Sequence, residues 1–312
     1  MQESRPGFDE DAIRRIVALA EQQKAVERRE WTPQSILARL DQAIIGNRKY
    51  KESLALSIAD FLGPNALRNH LLVVGPSGSG KTYLLEQCVP DFGISSLFID
   101  ASALVPSGYK GNTIPEALDL FFRSSPDASQ RCLIVLDEFD KLSPLANGGD
   151  TFKSHSLQSE LLALIQGKKE GAIDTRHTLW LFAGAFAFAD EMKQAVPKLR
   201  KTDLLRYGFK NELLGRITTM AMTERPTVEE VVRQVVSDRA IVSLLADLKS
   251  AGYEITFTDD AVLELALAAQ NPAFGMRVVP SLVMDIKKSV IFRDTGTPFV
   301  ISGALVKELL QA

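Results

Sequence analysis

A glycine-rich segment at residues 75–82, with the pattern G-x-x-x-x-G-K-T, constrains the fold of this chain more than any other feature. It follows the apolar run Leu71–Val74 and precedes a stretch of helical character. In this setting glycines let backbone N–H groups turn inward around phosphate oxygens, and the N-terminus of the next helix adds the positive end of its dipole. Lys81 is expected to reach the β- and γ-phosphates, and the Thr82 hydroxyl to coordinate Mg²⁺. The sequence therefore predicts a phosphate-binding loop formed by Gly75, Pro76, Ser77, Gly78, Ser79, Gly80, Lys81 and Thr82.

From residue 71 to residue 222 the chain alternates short apolar runs with helical stretches. Near-continuous apolarity is typical of parallel strands that helices cover on both faces. The pattern therefore predicts an α/β domain with a five-stranded parallel sheet. Its strands are expected at Leu71–Val74, Leu97–Ile99, Leu133–Leu136, Thr178–Phe182 and Ile217–Met222.

Helical periodicity dominates after Pro226, with brief strand candidates at Ile255–Phe257 and Phe299–Ile301. We therefore predict a large α/β nucleotide-binding domain at 33–225 and a small, mainly helical lid domain at 226–312. Residues 9–30 have the apolar spacing of one helix, so residues 1–32 are predicted to form an N-terminal helical arm. This arm is either a docking element for a partner or a packed or frayed leader helix.

The third apolar run ends in two acidic residues, Asp137 and Glu138. Such a run alone is usually just the end of a strand, but together with a phosphate-binding loop it predicts the second half of an ATP-hydrolysing site. Asp137 would hold Mg²⁺ through its water shell, and Glu138 would polarise the attacking water. A glutamate directly after the aspartate favours hydrolysis over phosphoryl transfer to another acceptor.

Composition excludes several classes of protein. The 312 residues carry 36 Lys+Arg against 39 Asp+Glu, and the net charge of -3 provides no general attraction for nucleic acids or anionic membranes. Two cysteines without a CxxC pair and three scattered histidines do not form a metal-binding pattern. The longest apolar run, Leu179–Ala189, is much shorter than the roughly 20 residues of a membrane span. No signal peptide is apparent, and we expect a cytoplasmic protein without a membrane partner.

Taken together, these motifs resemble an AAA+ ATPase of the ClpX and HslU unfoldase type over about residues 33–312. The resemblance implies that Ile44 and Ile45, an apolar pair before a glycine, contact the adenine of ATP. Asn47 stands where this family usually has Gln. Ala183 stands at the family's sensor-1 position, where it offers no side-chain hydrogen bond.

Two arginines stand at positions that carry roles in this family. Tyr207–Arg216 is similar to the box that ends in the arginine finger. The resemblance implies that Arg216 reaches the γ-phosphate of a neighbouring subunit in a homo-oligomeric, hexameric ring. Arg277, in Gly275–Arg277, stands at the sensor-2 position and would contact the nucleotide within its own subunit. An ordinary surface arginine at 216 and a structural salt-bridge arginine at 277 are the alternatives.

The segment Ser107–Gly111 follows the second predicted strand, where these unfoldases carry a Gly-Tyr-Val-Gly pore loop. The resemblance implies that Tyr109 pushes on a polypeptide in a central channel, with Lys110 adding positive charge in place of valine. A surface turn with one exposed aromatic is the alternative. Residues 147–155 stand where a second pore loop would be, and a flexible surface loop explains them equally well.

Several family elements are missing. No four-cysteine zinc module precedes residue 33, and the stretch between Asp140 and Gln158 is too short for the domain that HslU inserts there. The protease-docking insertion between the sensor-1 strand and the finger box is largely gone. The Gly-Phe pair in that interval, at 208–209, belongs to the box itself, so we expect no ClpP-like protease partner.

We therefore expect a ring-forming ATPase that uses ATP and Mg²⁺ to remodel a protein substrate or a partner complex. Two other functions stay open. A DNA-processing motor or loader is disfavoured by the net charge, although Lys110 keeps nucleic acid as a possible partner. A nucleotide-switched binding module with little turnover is disfavoured by Glu138 and Arg216.

Overall fold

The computed structural model describes residues 31–194, 198–270, 275–292 and 299–311. The predicted arm at 1–32 lies almost wholly outside these ranges, so its helix stays a prediction. The described strands are β1 (Leu71–Val74), β2 (Ser95–Asp100), β3 (Cys132–Asp137), β4 (Lys169–Glu170), β5 (Ile173–Asp174), β6 (Thr178–Gly184), β7 (Thr219–Met222), β8 (Ile255–Phe257) and β9 (Phe299–Ile301). The described α-helices are α1 (Pro33–Ala43), α2 (Arg48–Leu62), α3 (Lys81–Cys88), α4 (Ile114–Ser124), α5 (Thr151–Ile165), α6 (Asn211–Arg216), α7 (Val228–Val236), α8 (Arg239–Ser250), α9 (Asp259–Ala269), α10 (Val278–Phe292) and α11 (Gly303–Gln311).

The main sheet has five parallel strands in the order β2-β3-β6-β1-β7, which confirms the predicted α/β fold. The phosphate-loop strand β1 lies between β6 and β7, while β6 separates it from β3. All five strands end at the same end of the sheet because they are parallel. Ligands of open parallel sheets bind at this carboxyl end.

Alternate side chains of the strands point to opposite faces of the sheet, and each face has its own hydrophobic cluster. Leu72, Ile134 and Phe182 pack in one cluster with residues of α4 and α5. Leu71 and Val135 pack in the other with residues of α1, α2 and α3. The apolar runs are continuous in sequence because both faces are buried.

Helix starts follow local capping chemistry. Thr32, Thr113 and Thr227 each precede a helix, and each threonine side chain accepts a hydrogen bond from the backbone N–H three residues on. The side chain at that third position in turn accepts a hydrogen bond from the backbone N–H of the threonine, which completes a capping box. These boxes set the starts of α1, α4 and α7.

The structure departs from the sequence prediction in three places. A short antiparallel hairpin, β4–β5, was not predicted because each strand has only two residues. The strand predicted from Ile217 begins at Thr219, since Ile217 ends α6 as its C-cap. The predicted loop at 147–155 is partly helical, because the Asp150 side chain accepts a hydrogen bond from the Lys153 backbone N–H and starts α5 at Thr151.

A third hydrophobic cluster contains only residues from Val231 onward, drawn from α7–α11 and from the parallel pair β8–β9. It shares no residue with the two clusters of the main sheet. The domain boundary after residue 225 stays a prediction, and separate clusters are what two domains would produce. Within the described ranges, every helix is too short or too polar to cross a bilayer.

Candidate functional site

A cavity of about 510 Å³ lies at the carboxyl end of the main sheet. One side is lined by the phosphate loop after β1, by Asp137 at the end of β3 with Glu138 directly after it, and by Gly184 at the end of β6. The opposite side is lined by Ile44 and Ile45 and by residues of the C-terminal part, including Val231, Gln234 and Met276. The strand order therefore brings together motifs that are far apart in sequence.

The phosphate loop adopts the conformation that its glycines permit. Gly78 and Gly80 have φ angles of 76° and 83°, in the left-handed region that disfavours side chains. Helix α3 begins directly after them at Lys81, whose ammonium group donates hydrogen bonds to the carbonyl oxygens of Gly75 and Pro76 at 2.8 and 2.9 Å. The Lys81 side chain is thus held across the loop, where a phosphate group would bind.

The Thr82 hydroxyl donates a hydrogen bond of 2.7 Å to the Asp137 carboxylate. These residues are 55 positions apart in sequence but meet because β1 and β3 end at the same end of the sheet. Hydroxyl and carboxylate oxygens are ligands that Mg²⁺ accepts while it keeps several waters. The two residues therefore fit the predicted Mg²⁺ site. No group of three His, Cys, Asp or Glu side chains in the described ranges is arranged to hold a metal ion, so the remaining ligands would be phosphate oxygens and water.

Glu138 has a φ angle of 53°, and its carboxylate is partly exposed to the cavity. Burial, together with the nearby carboxylate of Asp140, raises the pKa of Glu138, while the ammonium group of Lys141 at 3.6 Å opposes that shift. A raised pKa suits a group that accepts a proton from water. Asp140 itself is buried and accepts a hydrogen bond from the Ala185 backbone N–H, which joins this turn to the end of β6.

Ile44 and Ile45 form the apolar end of the cavity. The Ile44 side chain packs against Gly80, because a Cβ built on Gly80 would lie 3.4 Å from Ile44 Cδ1. The Ile44 carbonyl accepts a hydrogen bond of 3.1 Å from the buried ammonium group of Lys51, which also pairs with Asp41. A charged side chain, which no pattern in the sequence singled out, therefore holds the backbone at Ile44 in place.

Asn47 connects the phosphate loop to the start of the C-terminal part. Its side chain donates to the Ser79 carbonyl at 3.0 Å and accepts from the Glu224 backbone N–H at 3.0 Å. The sequence showed only that Asn47 departs from the family residue at this position. Its bridging role depends on a contact across 177 positions, which no local pattern reveals.

Arg216 lies away from this cavity. It ends α6, just before β7, and thus at the amino end of the sheet. It is exposed, and within the described ranges no hydrogen bond or ion pair to its guanidinium group is present. His70 directly precedes β1 at the same end of the sheet. Burial and the positive charges of Arg68 and Arg216 lower the pKa of its imidazole to about 4.

Arg277 ends a short 3₁₀ helix, Gly275–Arg277, and its side chain lies outside the described part of the chain. The backbone of this helix reaches the phosphate loop, because a Cβ built on Gly275 would lie 3.1 Å from the Cα of Gly78. Ala183, at the predicted sensor-1 position, is buried in β6. The next two residues, Gly184 and Ala185, line the cavity.

Tyr109 lies in the turn between β2 and α4, with 59% of its surface exposed. Its ring centroid is 6.4 Å from that of Phe152, at the start of α5, which is also largely exposed. The turn is held by Glu160, whose carboxylate accepts hydrogen bonds from the backbone N–H and the hydroxyl of Ser107. Lys110 is exposed beside Tyr109. The two predicted pore-loop segments therefore meet at one surface.

Comparison with known proteins agrees with this arrangement. Residues 71–239 match the family described as "ATPase family associated with various cellular activities (AAA)". The "ATP-dependent Clp protease ATP-binding subunit ClpX 2" of Wolinella succinogenes is 24% identical over 315 residues, covering 86% of this chain and 79% of that protein. ClpX of Treponema denticola is 24% identical, with 84% and 77% covered, and ClpX of Borrelia duttonii is 22% identical, with 84% and 74% covered.

The family match begins at the first residue of β1 and contains the phosphate loop, Asp137, Glu138 and Arg216. It therefore falls on the strands and loops that build the cavity, and the similarity to ClpX extends over most of the chain. The chain is a nucleotide-binding enzyme that hydrolyses ATP. It belongs to the AAA ATPase family and is similar to ClpX along most of its length.

Proposed function

We propose that this protein is a ring-forming ATPase that uses ATP hydrolysis to remodel a protein substrate, without a protease chamber. The observation that carries this proposal is the exposed aromatic pair of Tyr109 and Phe152, on a surface separate from the nucleotide cavity. Large exposed aromatics that no other element covers are typical of contact surfaces for other molecules.

The chemistry of hydrolysis assigns a role to each residue of the cavity. The phosphate loop and Lys81 bind the triphosphate, while Thr82 and Asp137 would hold Mg²⁺, which neutralises charge on the phosphates when bound. Glu138 orients the attacking water and accepts its proton, for which its raised pKa is suited. Ile44 and Ile45 cover the adenine base. Arg277 stays a candidate sensor of the nucleotide.

The position of Arg216 supports a ring. It lies at the amino end of the sheet, whereas the phosphate loop lies at the carboxyl end, so Arg216 cannot serve the nucleotide of its own subunit. An exposed arginine without an ion pair in the described ranges is available to a neighbouring subunit. We propose that it acts as the finger for the next active site in a homo-oligomer, a hexamer as in the ClpX type.

The Tyr109 surface suits an extended polypeptide. The aromatic rings would contact apolar side chains, and the Ser107–Glu160 bonds give the turn a firm base from which to push. Movement between the parts at 33–225 and 226–312 would drive that turn, since both parts line the cavity. Lys110 adds a positive charge that would favour acidic segments.

The surroundings of Gly208 and Phe209 support the absence of a protease partner. Phe209 is only 3% exposed and stacks on Phe139, while a Cβ on Gly208 would meet Pro144. A docking anchor needs an exposed apolar side chain on a free loop. This Gly-Phe pair is instead part of the core.

The proposal is tested with a Glu138→Gln variant, which is expected to retain bound substrate because it binds ATP without hydrolysing it. Proteins trapped with this variant and ATP in cells would be identified and then offered to the wild-type protein. We expect ATP-dependent loss of structure or disassembly of such a protein, and no change in ATPase rate on addition of DNA. A DNA-stimulated ATPase rate without protein remodelling would instead support the DNA motor. Stable ATP-dependent co-purification with a barrel protease would contradict the chamber-free role.

A further inference from the structure

The side chain of Gln234 makes two hydrogen bonds to the backbone of residues 43–45, a short apolar strip at the end of the cavity. Its amide oxygen accepts from the Ile45 N–H at 3.0 Å, and its amide nitrogen donates to the Ala43 carbonyl at 3.4 Å. Gln234 lies on α7, 189 positions from Ile45, and also lines the cavity. One carboxamide thus satisfies a donor and an acceptor of the same short strip.

The two backbone groups form a recognition edge for a flat polar group. A carboxamide presents an acceptor oxygen and a donor NH₂ side by side. Adenine presents the same pair along its edge, a ring-nitrogen acceptor beside the exocyclic NH₂ donor. In guanine the exocyclic oxygen beside the same ring nitrogen is an acceptor. A guanine held in the same orientation would therefore place an acceptor opposite the Ala43 carbonyl, which is itself an acceptor. The strip that binds Gln234 here is therefore equally suited to adenine.

We propose that the Gln234 carboxamide occupies the adenine-recognition edge of Ile45 and Ala43 and that the base of a bound nucleotide displaces it. This inference rests on the proposed nucleotide site, in which Ile44 and Ile45 cover the base. Gln234 is then a built-in competitor of the base, and it sets nucleotide affinity and base selectivity without touching the phosphates.

The position of Gln234 also links the base to the C-terminal part of the chain. Val231 and Val235, on either side of it in α7, are buried in the third hydrophobic cluster. The helix is therefore packed onto that cluster, while Gln234 attaches it to the strip at residues 43–45, where α1 ends. Release of the Gln234 bonds by the base would loosen this attachment, so nucleotide binding would alter how the two parts are held together.

The test is equilibrium binding of ADP, GDP and inorganic tripolyphosphate to the full chain. One net hydrogen bond corresponds to about a two- to tenfold change in affinity. We expect Gln234→Ala to bind ADP about two- to tenfold more tightly than the wild type, with unchanged affinity for tripolyphosphate and a smaller gain for GDP. Gln234→Met retains the side-chain length without hydrogen bonds and is expected to change ADP affinity in the same direction, should Gln234→Ala fail to fold.

Gln270→Ala is the matched control, because the Gln270 amide also bonds a backbone carbonyl, that of Pro226, but does not line the cavity. Its ADP affinity is expected to equal that of the wild type. Unchanged or weaker ADP binding by Gln234→Ala and Gln234→Met would overturn the inference and leave the proposed function intact. If the wild-type protein binds tripolyphosphate but has equal affinities for ADP and GDP, the proposed base site itself would be overturned.

Discussion

The hydroxyl groups of Ser79 and Thr223 lie 2.6 Å apart in the interior, although 144 positions separate them in sequence. Ser79 belongs to the phosphate loop, and Thr223 directly follows β7, where its N–H donates to the Val74 carbonyl. A Cβ on Gly75 would lie 1.8 Å from the Thr223 hydroxyl oxygen, so only glycine fits there. Thr223 therefore connects the strand end before the phosphate loop, and Ser79 in the middle of the loop, to the segment that leads into α7.

Thr223→Val is expected to lower the free energy of unfolding by about 1–3 kcal/mol, because it leaves the buried Ser79 hydroxyl without its partner. Denaturant titration measures this change. The double variant Ser79→Ala, Thr223→Val removes both hydroxyls and should recover most of the loss. If the changes in the free energy of unfolding caused by the two single substitutions simply added up in the double variant, the hydrogen bond would contribute nothing to stability.

Glu138→Gln is expected to bind ATP with wild-type affinity and to hydrolyse it about 10²–10⁴-fold more slowly, because the group that accepts a proton from water is lost. ATP binding and single-turnover hydrolysis measure the two effects separately. Asp140→Asn is a useful comparison, since Asp140 is buried and bonds Ala185 rather than facing the cavity. It should slow hydrolysis less than Glu138→Gln. Wild-type hydrolysis by Glu138→Gln would mean that another residue activates the water.

Arg216→Ala is expected to reduce ATP hydrolysis by about 10³–10⁵-fold, as arginine fingers do. A surface salt bridge could not account for such a loss. Because the finger would act on a neighbouring subunit, mixing Arg216→Ala with Lys81→Ala subunits should restore some activity at interfaces that combine an intact loop with an intact arginine. No recovery at any ratio, despite co-assembly seen by native mass spectrometry, would contradict action between subunits.

Tyr109→Ala is expected to retain most of the basal ATPase rate and to lose substrate remodelling, because Tyr109 lies outside the nucleotide cavity. ATPase and remodelling assays on the same preparation measure this separation. Phe292→Ala provides a control, since Phe292 is 82% exposed at the end of α10. It should remodel substrate normally. Equal remodelling by Tyr109→Ala and the wild type would mean that Tyr109 is only a turn residue.

His70 is expected to make the fold less stable in mild acid. Its buried imidazole accepts a hydrogen bond from the backbone N–H of Trp180, and its pKa is about 4, compared with about 6.5 in the unfolded chain. The unfolded state therefore binds the proton first, and stability falls as the pH drops below 6.5. The loss between pH 7.5 and 5.5 should be about 1 kcal/mol, as measured by denaturant titration. In His70→Asn, whose side-chain oxygen can replace the acceptor, this pH-dependent loss should disappear. An equal loss in the variant would assign it to other groups.

Local sequence patterns were sufficient to identify the phosphate loop, the strands of the main sheet and the acidic pair at the end of β3. The phosphate loop could be identified from residues 75–82 because its function depends on backbone conformation, which closely spaced glycines control. The strands could be located because both sheet faces are buried, which makes each strand continuously apolar. Asp137 and Glu138 were found because a strand end positions them next to the loop. The roles of Arg216, Arg277 and Tyr109 came from resemblance and remain predictions.

Only the tertiary structure decided how these motifs are joined to one another. Three hydrogen bonds each join residues more than 140 positions apart in sequence: Gln234 with Ile45, Asn47 with Glu224, and Ser79 with Thr223. Each contact uses a polar side chain of a common type, and in two of the three its partner is a backbone N–H. Which groups meet depends on the strand order and on the packing of α7 against the cavity. Periodicity and spacing describe one element at a time, so they contain no information about such contacts. The local sequence therefore determined the chemical groups of the site, while the tertiary structure determined how those groups are connected to the rest of the molecule.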